Sequence, residues 1–200
     1  MAQYTIIATA AMGLEALVAK EVRALGYECT VDNGKVIFKG DETAIARANM
    51  WLRTADRVKI QVAQFKALTF DELFENTKAI PWENFITEDG EFPVAGKSHK
   101  SKLFSVSDCQ AIVKKAIVER LKRAYNRIAR FEENGPLFKL EVAMLKDIAT
   151  ITLDTSGVGL HKRGYRLEQG EAPLKETMAA ALVMLTNWHP DRPLVDPFCG

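Results

Sequence analysis

The stretch YECTVDNGKVIFK, residues 27–39, decides how the first part of the chain folds. Two short runs rich in β-branched and aromatic residues, 27–31 and 35–39, flank Asp32-Asn33-Gly34, and Asn-Gly between such runs is a strong hairpin signal. Working outward, Gly26 stands where a helix over residues 13–25 would stop, with Leu14, Leu17, Val18, Val22 and Leu25 at helical spacing before it. Earlier still, residues 3–10 centre on YTIIATA and read as a buried strand. After the hairpin, Asp41 is placed to cap a helix through Trp51, with Ile45, Ala48 and Leu52 facing inward. Residues 57–65 then alternate Val58, Ile60 and Val62 with polar partners, as a strand does. The order β-α-β-β-α-β is that of a ferredoxin-like unit.

A different pattern follows. Thr69-Phe70-Asp71-Glu72 is a T-x-x-E capping box that opens a helix with Leu73, Phe74 and Ile80, stopped by Pro81. A loop with Trp82 and Phe85 leads to a short strand expected at 91–96 and then to a polar basic loop at 97–102. Ser107-Asp108-Cys109-Gln110 reads as a second capping box, opening a long helix that ends before Asn134-Gly135-Pro136. Ile112, Val113, Ala116, Ile117, Leu121, Ala124 and Ile128 form its apolar stripe, with Lys114, Lys115, Lys122, Arg123 and Arg127 mostly off it. Residues 138–145 and 148–154 form a hairpin around Lys146-Asp147. Residues 174–185 read as a helix with Ala179, Leu182, Val183 and Leu185 available for packing, and 194–200 as an apolar strand running into a Gly-bearing loop.

With 48% hydrophobic and 26% charged residues, 200 residues suffice for one large or two small folded domains, which excludes a wholly disordered chain. No run approaches the roughly 18 apolar residues of a membrane span. Met1-Ala2-Gln3-Tyr4 lacks the basic start of a signal peptide. Cys29, Cys109 and Cys199 are scattered without metal-ligand spacing and suit a reducing cytosol, Cys29 and Cys109 as buried small hydrophobes.

The net charge of +1 conceals a basic block: residues 97–130 hold ten Lys and Arg against two Asp and Glu, while 1–96 hold ten against fourteen. Neutralising several phosphates requires cations gathered on one face, so Lys97, Lys100, Lys102, Lys114 and Lys115 are candidate nucleic-acid contacts. The bland alternative is a solvated helix face. DTSGVGLHKRGYR, residues 154–166, adds Lys162, Arg163 and Arg166 in a turn-rich stretch, with Tyr165 available for base stacking; its alternative is a solvated linker. His161 has no second His or Cys at ligand spacing, so no metal site is expected. VDPFCG, residues 195–200, brings an apolar strand to a Gly loop, as doubly wound folds do where they approach a nucleotide-like ligand. Cys199 there has no basic partner to activate it.

Ala172-Pro173-Leu174-Lys175-Glu176-Thr177, a helix, and then Pro193-Leu194-Val195-Asp196-Pro197-Phe198-Cys199-Gly200 together resemble the start of the catalytic domain in THUMP-containing RNA methyltransferases. Leu160-His161-Lys162-Arg163-Gly164-Tyr165-Arg166 resembles that family's link out of its THUMP domain. The resemblance covers essentially the whole chain and is closest to bacterial 23S rRNA guanine-N2 methyltransferases. It implies an α+β chain with a ferredoxin-like domain (1–65), a THUMP RNA-binding domain (66–155), a linker (156–170) and the start of a Rossmann-like methyltransferase domain (171–200). It further implies that Asp196, Pro197, Cys199 and Gly200, with Pro173, Leu174 and Thr177 nearby, line a site for S-adenosylmethionine. The implied partner is structured RNA, ribosomal RNA above all, methylated on guanine N2 in the cytoplasm. The family's Asn-Pro-Pro-Tyr type motif has no counterpart in these residues. The chain is therefore expected to be a truncated portion of a longer enzyme, without catalytic residues of its own and inactive alone. A non-catalytic THUMP adaptor and a DNA adenine N6 methyltransferase are the rival readings.

Overall fold

The computed structural model describes residues 2–126, 133–164, 166, 174–186 and 188–197. The chain divides into two units, Met1–Val58 with Val158–Gly200, and Lys59–Gly157. In the first, β1 (Tyr4–Ala10), α1 (Glu15–Ala24), β2 (Cys29–Asp32), β3 (Lys35–Gly40), α2 (Glu42–Trp51) and the start of β4 (Ala55–Lys66) follow one another. Their strands lie in the order β2-β3-β1-β4, the arrangement of a ferredoxin-like fold. The hairpin sets Asp32 opposite Lys35, and Gly34 takes φ +71. Its amide donates to Glu15 Oε1 at 2.8 Å and the Gly13 amide to Oε2 at 2.9 Å, so one carboxylate ties the β1–α1 loop to the hairpin. The Gly34 amide, foremost, holds the Glu15 carboxyl below its ordinary range. Gly26, at φ +91, ends α1, and Asp41 caps α2 by accepting from the Ala44 amide at 3.0 Å.

Ile6, Ala8, Val36, Phe38 and Val58 of the sheet pack against Val18, Val22, Ala44 and Ala48 of the helices. Ile45, expected inside, is only half-buried, and Ala44 takes that place. Leu160, 7% exposed, joins this core, and its amide donates to the Asp56 carbonyl at 2.9 Å. Within the stretch open to reading as a solvated linker, Leu160 is thus packed. The helix α5 (Glu176–Leu185) buries Thr177 and Ala181, while Leu182 and Leu185 face outward. No strand forms at 194–197: a strand requires a neighbour's ladder, and no described strand pairs with it. Residues 198–200 lie outside the described residues.

In the second unit, β4 leads to α3 (Phe70–Ala79), a 3-10 turn at Trp82–Asn84, β5 (Val94–His99), α4 (Val106–Ala124), β6 (Leu140–Leu145) and β7 (Ile148–Asp154). The strands run β4-β7-β6-β5, with β5 and β6 parallel and the other pairs antiparallel. Thr69 caps α3 as expected, accepting from the Glu72 amide at 3.1 Å, and Glu72 accepts in turn from Leu68 N. Two expectations are corrected. The strand begins at Val94 rather than 91, because Pro93 has no amide to enter a ladder, and it takes in Lys97–His99. The cap of α4 is Ser105, accepting from the Asp108 amide, not Ser107; Gln110 instead reaches the Val94 carbonyl at 2.9 Å. The helix buries Cys109, Val113, Ala116, Ile117 and Leu121, leaves Ala124 exposed and gives way at Tyr125, short of the expected end. Ile128 and Arg127 lie outside the described residues. No described helix is long and apolar enough to cross a membrane.

Glu21, 7% exposed, accepts from Thr54 N at 3.0 Å, Thr54 Oγ1 at 2.6 Å and Arg53 Nε at 2.9 Å. It therefore fixes the turn between α2 and β4. Glu21→Ala would leave the buried Thr54 donors unmet, and a loss of about 2–3 kcal/mol is expected in urea unfolding followed by circular dichroism.

Candidate nucleic-acid interface

Register in the second unit brings four strands level at one end: Lys66 stands opposite Ile148, Ile148 opposite Leu145, and Leu145 opposite His99. Lys146 and Asp147 join β6 to β7 in left-handed conformations, φ +50 and +64, in a two-residue turn of the kind that usually takes Asn-Gly. Lys100, just past β5, is left-handed too, at φ +48. Such backbone costs a non-glycine residue about 1–2 kcal/mol, so something must hold it. Asp147 does: its carboxylate accepts from Lys102 N at 2.7 Å, and its amide donates to Ser101 Oγ at 3.0 Å. Its carbonyl accepts from Ala67 N at 2.9 Å, and the Lys146 amide reaches the His99 carbonyl at 3.2 Å. The product is a fixed rim with exposed Lys66, Lys100, Lys102 and Lys146, none in an ion pair with a described residue.

Lys100 and Lys102 were candidates from sequence. Lys66 and Lys146 were missed because only strand register, invisible in composition, brings them to the same rim. The remaining candidates are largely engaged. Lys97 lies 2.9 Å from Glu141 Oε1, and Lys59 lies 3.1 Å from Oε2. Burial pushes the Glu141 carboxyl up, but Lys97 and Lys59 together outweigh it and hold it below its ordinary range. Lys114 pairs with Glu133 at 2.7 Å, donates to the Phe92 carbonyl at 3.2 Å and sits 4.1 Å above the Phe92 ring. Lys115 is exposed, with its ammonium 5.6 Å from the Phe74 ring. In the first unit, Arg163 donates to the carbonyls of Asn49 at 3.0 Å, Met50 at 2.9 Å and also Leu52, closing the C-terminal end of α2. Arg166 donates to Leu174 O at 2.8 Å and lies 3.5 Å from Glu176. Lys162 is exposed, and Tyr165 lies outside the described residues.

Of the residues assigned to a cofactor, Leu174 and Thr177 line a cavity of about 460 Å3 in the first unit, across from Ala11, Leu14, Thr54 and Asp56. Thr177 is 5% exposed and donates its hydroxyl to Asp56 Oδ1 at 3.1 Å, so that hydroxyl anchors α5. Asp196 and Pro197 are exposed; Pro173, Cys199 and Gly200 lie outside the described residues. Cys109 is buried, which pushes its thiol up and leaves it inert, while Cys29 is only half-buried.

Three protein families match the chain: the RlmL ferredoxin-like domain over residues 5–59, the THUMP domain over 67–154, and the RMKL-like methyltransferase domain over 163–200. "Putative RNA methyltransferase YpsC" of Bacillus subtilis (strain 168) is 70% identical over 201 residues, taking in 100% of this chain and 52% of that protein. The chain spans about half the length of this curated relative. A "predicted N6-adenine-specific DNA methylase" from Listeria monocytogenes str. 4b F2365 superposes with TM-score 0.96 at 68% identity, over 100% of this chain and 53% of that one. SMU.472, whose crystal structure is of a complex with SAH, gives 0.94 at 51% identity, over 100% and 53%.

The double substitution Lys100→Glu with Lys146→Glu should weaken binding of labelled RNA at least tenfold and flatten its salt dependence. Arg163→Ala should instead lower stability by about 1.5–3 kcal/mol and leave binding within roughly twofold. Filter binding across a salt series and thermal melts separate the two. Because the folded Glu141 carboxyl is depressed, the stability it contributes is present above the ordinary carboxylate pKa and lost as pH falls through the folded value. Glu141→Gln should therefore melt below wild type near neutral pH and converge with it in acid.

Proposed function

We propose that this chain, which belongs to the family of THUMP-containing, S-adenosylmethionine-dependent RNA methyltransferases, supplies the RNA-holding portion of such an enzyme and begins its methyl-donor site. One observation carries this: ferredoxin-like, THUMP and methyltransferase segments succeed one another in a single chain. The rim of lysines in the THUMP segment is consistent with it. The functional divisions fall at 1–65, 66–155, a linker at 156–170 and 171–200. The acceptor is the N2 amino group of a guanine in ribosomal RNA, and the enzyme works in a reducing cytosol, as the sparse cysteines suit. The Listeria relative's description favours a DNA adenine acceptor instead; the THUMP segment tips the choice to RNA.

S-adenosylmethionine, when bound, supplies the methyl group. Two described residues have chemistry that suits part of such a ligand. Asp196 is exposed and carries the charge that suits a sulfonium or ammonium group, and Leu174, 51% exposed, has apolar surface. Thr177 contributes by holding α5 on Asp56. Pro173, Pro197, Cys199 and Gly200 complete the set by family resemblance. Transfer to an amino nitrogen depends above all on alignment, so the task of this chain is to fix the RNA in place.

In the full-length enzyme, Asp196→Ala should weaken S-adenosylmethionine affinity by about 1.5–3 kcal/mol and spare RNA affinity, since distant sites are usually independent. Equal losses in both, measured by calorimetry, would remove Asp196 from the cofactor site. Residues 1–200 alone should bind RNA and transfer no labelled methyl to ribosomal RNA. Label on the RNA would overturn the assigned inactivity, and label placed by the full enzyme on DNA adenine would overturn the acceptor.

A further inference from the structure

At the rim of the second unit, two neighbouring side chains part ways. Leu103 is 6% exposed, and its carbonyl accepts from Ser98 Oγ at 2.8 Å, which pins the loop to the core. Phe104 beside it is 80% exposed, more than Trp51 at 61% or Trp188 at 36%. On its other side Ser105 caps α4. A lone exposed apolar side chain is ordinary on any protein surface. This one stands on a loop whose backbone Asp147 clamps, and the same clamp sets Lys100, Lys102, Lys146 and Lys66 on the rim.

An aromatic face on a loop that also carries the unpaired cations Lys100 and Lys102 matches the chemistry of an unpaired nucleotide, whose base stacks while its phosphates are neutralised. We infer that Phe104 is the platform on which an unpaired nucleotide of the bound RNA stacks, with the flanking phosphates held by Lys100, Lys102 and Lys146. The inference rests on the RNA-binding function proposed above and narrows it from structured RNA in general to RNA that presents a bulged, looped or terminal base at this rim. A purely apolar anchor for a protein or a bilayer would need hydrophobic area at this position but no π face.

The test uses the 200-residue chain with two labelled RNAs: a hairpin carrying 2-aminopurine at a single-nucleotide bulge, and a fully paired duplex of the same length. Wild type should bind the bulged RNA more tightly and quench the 2-aminopurine. Phe104→Ala should abolish the quench and weaken bulged-RNA binding about tenfold or more, with duplex binding changed less than twofold and the salt slope unaltered. Phe104→Tyr should restore both readouts, and Phe104→Leu should behave like Phe104→Ala. Because the ring is exposed, all three variants should melt with wild type. Restoration by Leu, equal losses on both RNAs, or no loss at all would overturn the stacking role. If Lys100→Glu weakens duplex binding while Phe104→Ala changes nothing, the stacking role falls and RNA binding stands; if wild type binds neither RNA, both fall.

Discussion

Parallel pairing of Val94–His99 with Leu140–Leu145 sets where the loop at residues 100–105 leaves the sheet of the second unit. Gly96 lies so close beneath α4 that a Cβ there would come within 2.8 Å of Gln110 and 2.9 Å of Val106. The strand can slide along α4 in neither direction without losing that fit, and a one-residue slip would turn every side chain to the other face. With the register fixed, β5 and β6 finish level, at His99 and Leu145. The chain must then turn at once, and it does so through left-handed backbone at Lys100, Lys146 and Asp147. The side chain of Asp147 repays part of that strain by accepting the Lys102 amide. A positively charged rim is a consequence of strand geometry first and of composition second.

Local chemistry made much of the fold legible. Asn33-Gly34, Gly26, Asp41 and the Thr69–Glu72 box each act within a few residues, and each does in the structure what its residue type favours. Where the sequence misled, a partner distant in the chain intervened. Residues 97–99 are polar and basic, which reads as loop, yet their backbone completes a ladder with β6. Ser107 and Gln110 have the spacing of a capping box, but Gln110 bonds instead to Val94 O, and Ser105 takes the cap. The apolar run at 194–197 has strand composition and no described strand to pair with.

The cations divide by the same logic. A run of Lys and Arg predicts positive charge, but not which charges stay available to a ligand. Lys97 and Lys59 converge on Glu141, Lys114 is held by Glu133 and Phe92, and Arg163 occupies three carbonyls at the end of α2. A guanidinium suits that last task, since its fixed fork of donors can satisfy several acceptors at once. These interactions are long-range in sequence, so no count over a window could have excluded them. Leu160 and Arg163 also show that a Gly-rich, basic stretch can be anchored at both an apolar and a polar point.

Affinity and register ask different things of an RNA-holding surface. Lysines on flexible stems supply affinity through counterion release, but they grip a phosphate backbone at any of its equivalent positions. Methyl transfer to one amino group tolerates little of that freedom, because alignment of nitrogen and methyl carries much of the rate. On the proposed function, a surface built only from the exposed lysines of this chain would hold RNA without choosing where. An aromatic ring at a defined place removes that degeneracy, provided its backbone cannot drift. The loop at residues 100–105 meets that condition: Leu103 in the core, Ser105 at the head of α4, and Asp147 across its middle fix it at three points. The strain left in Lys100 and Lys146 is the cost of holding that loop still.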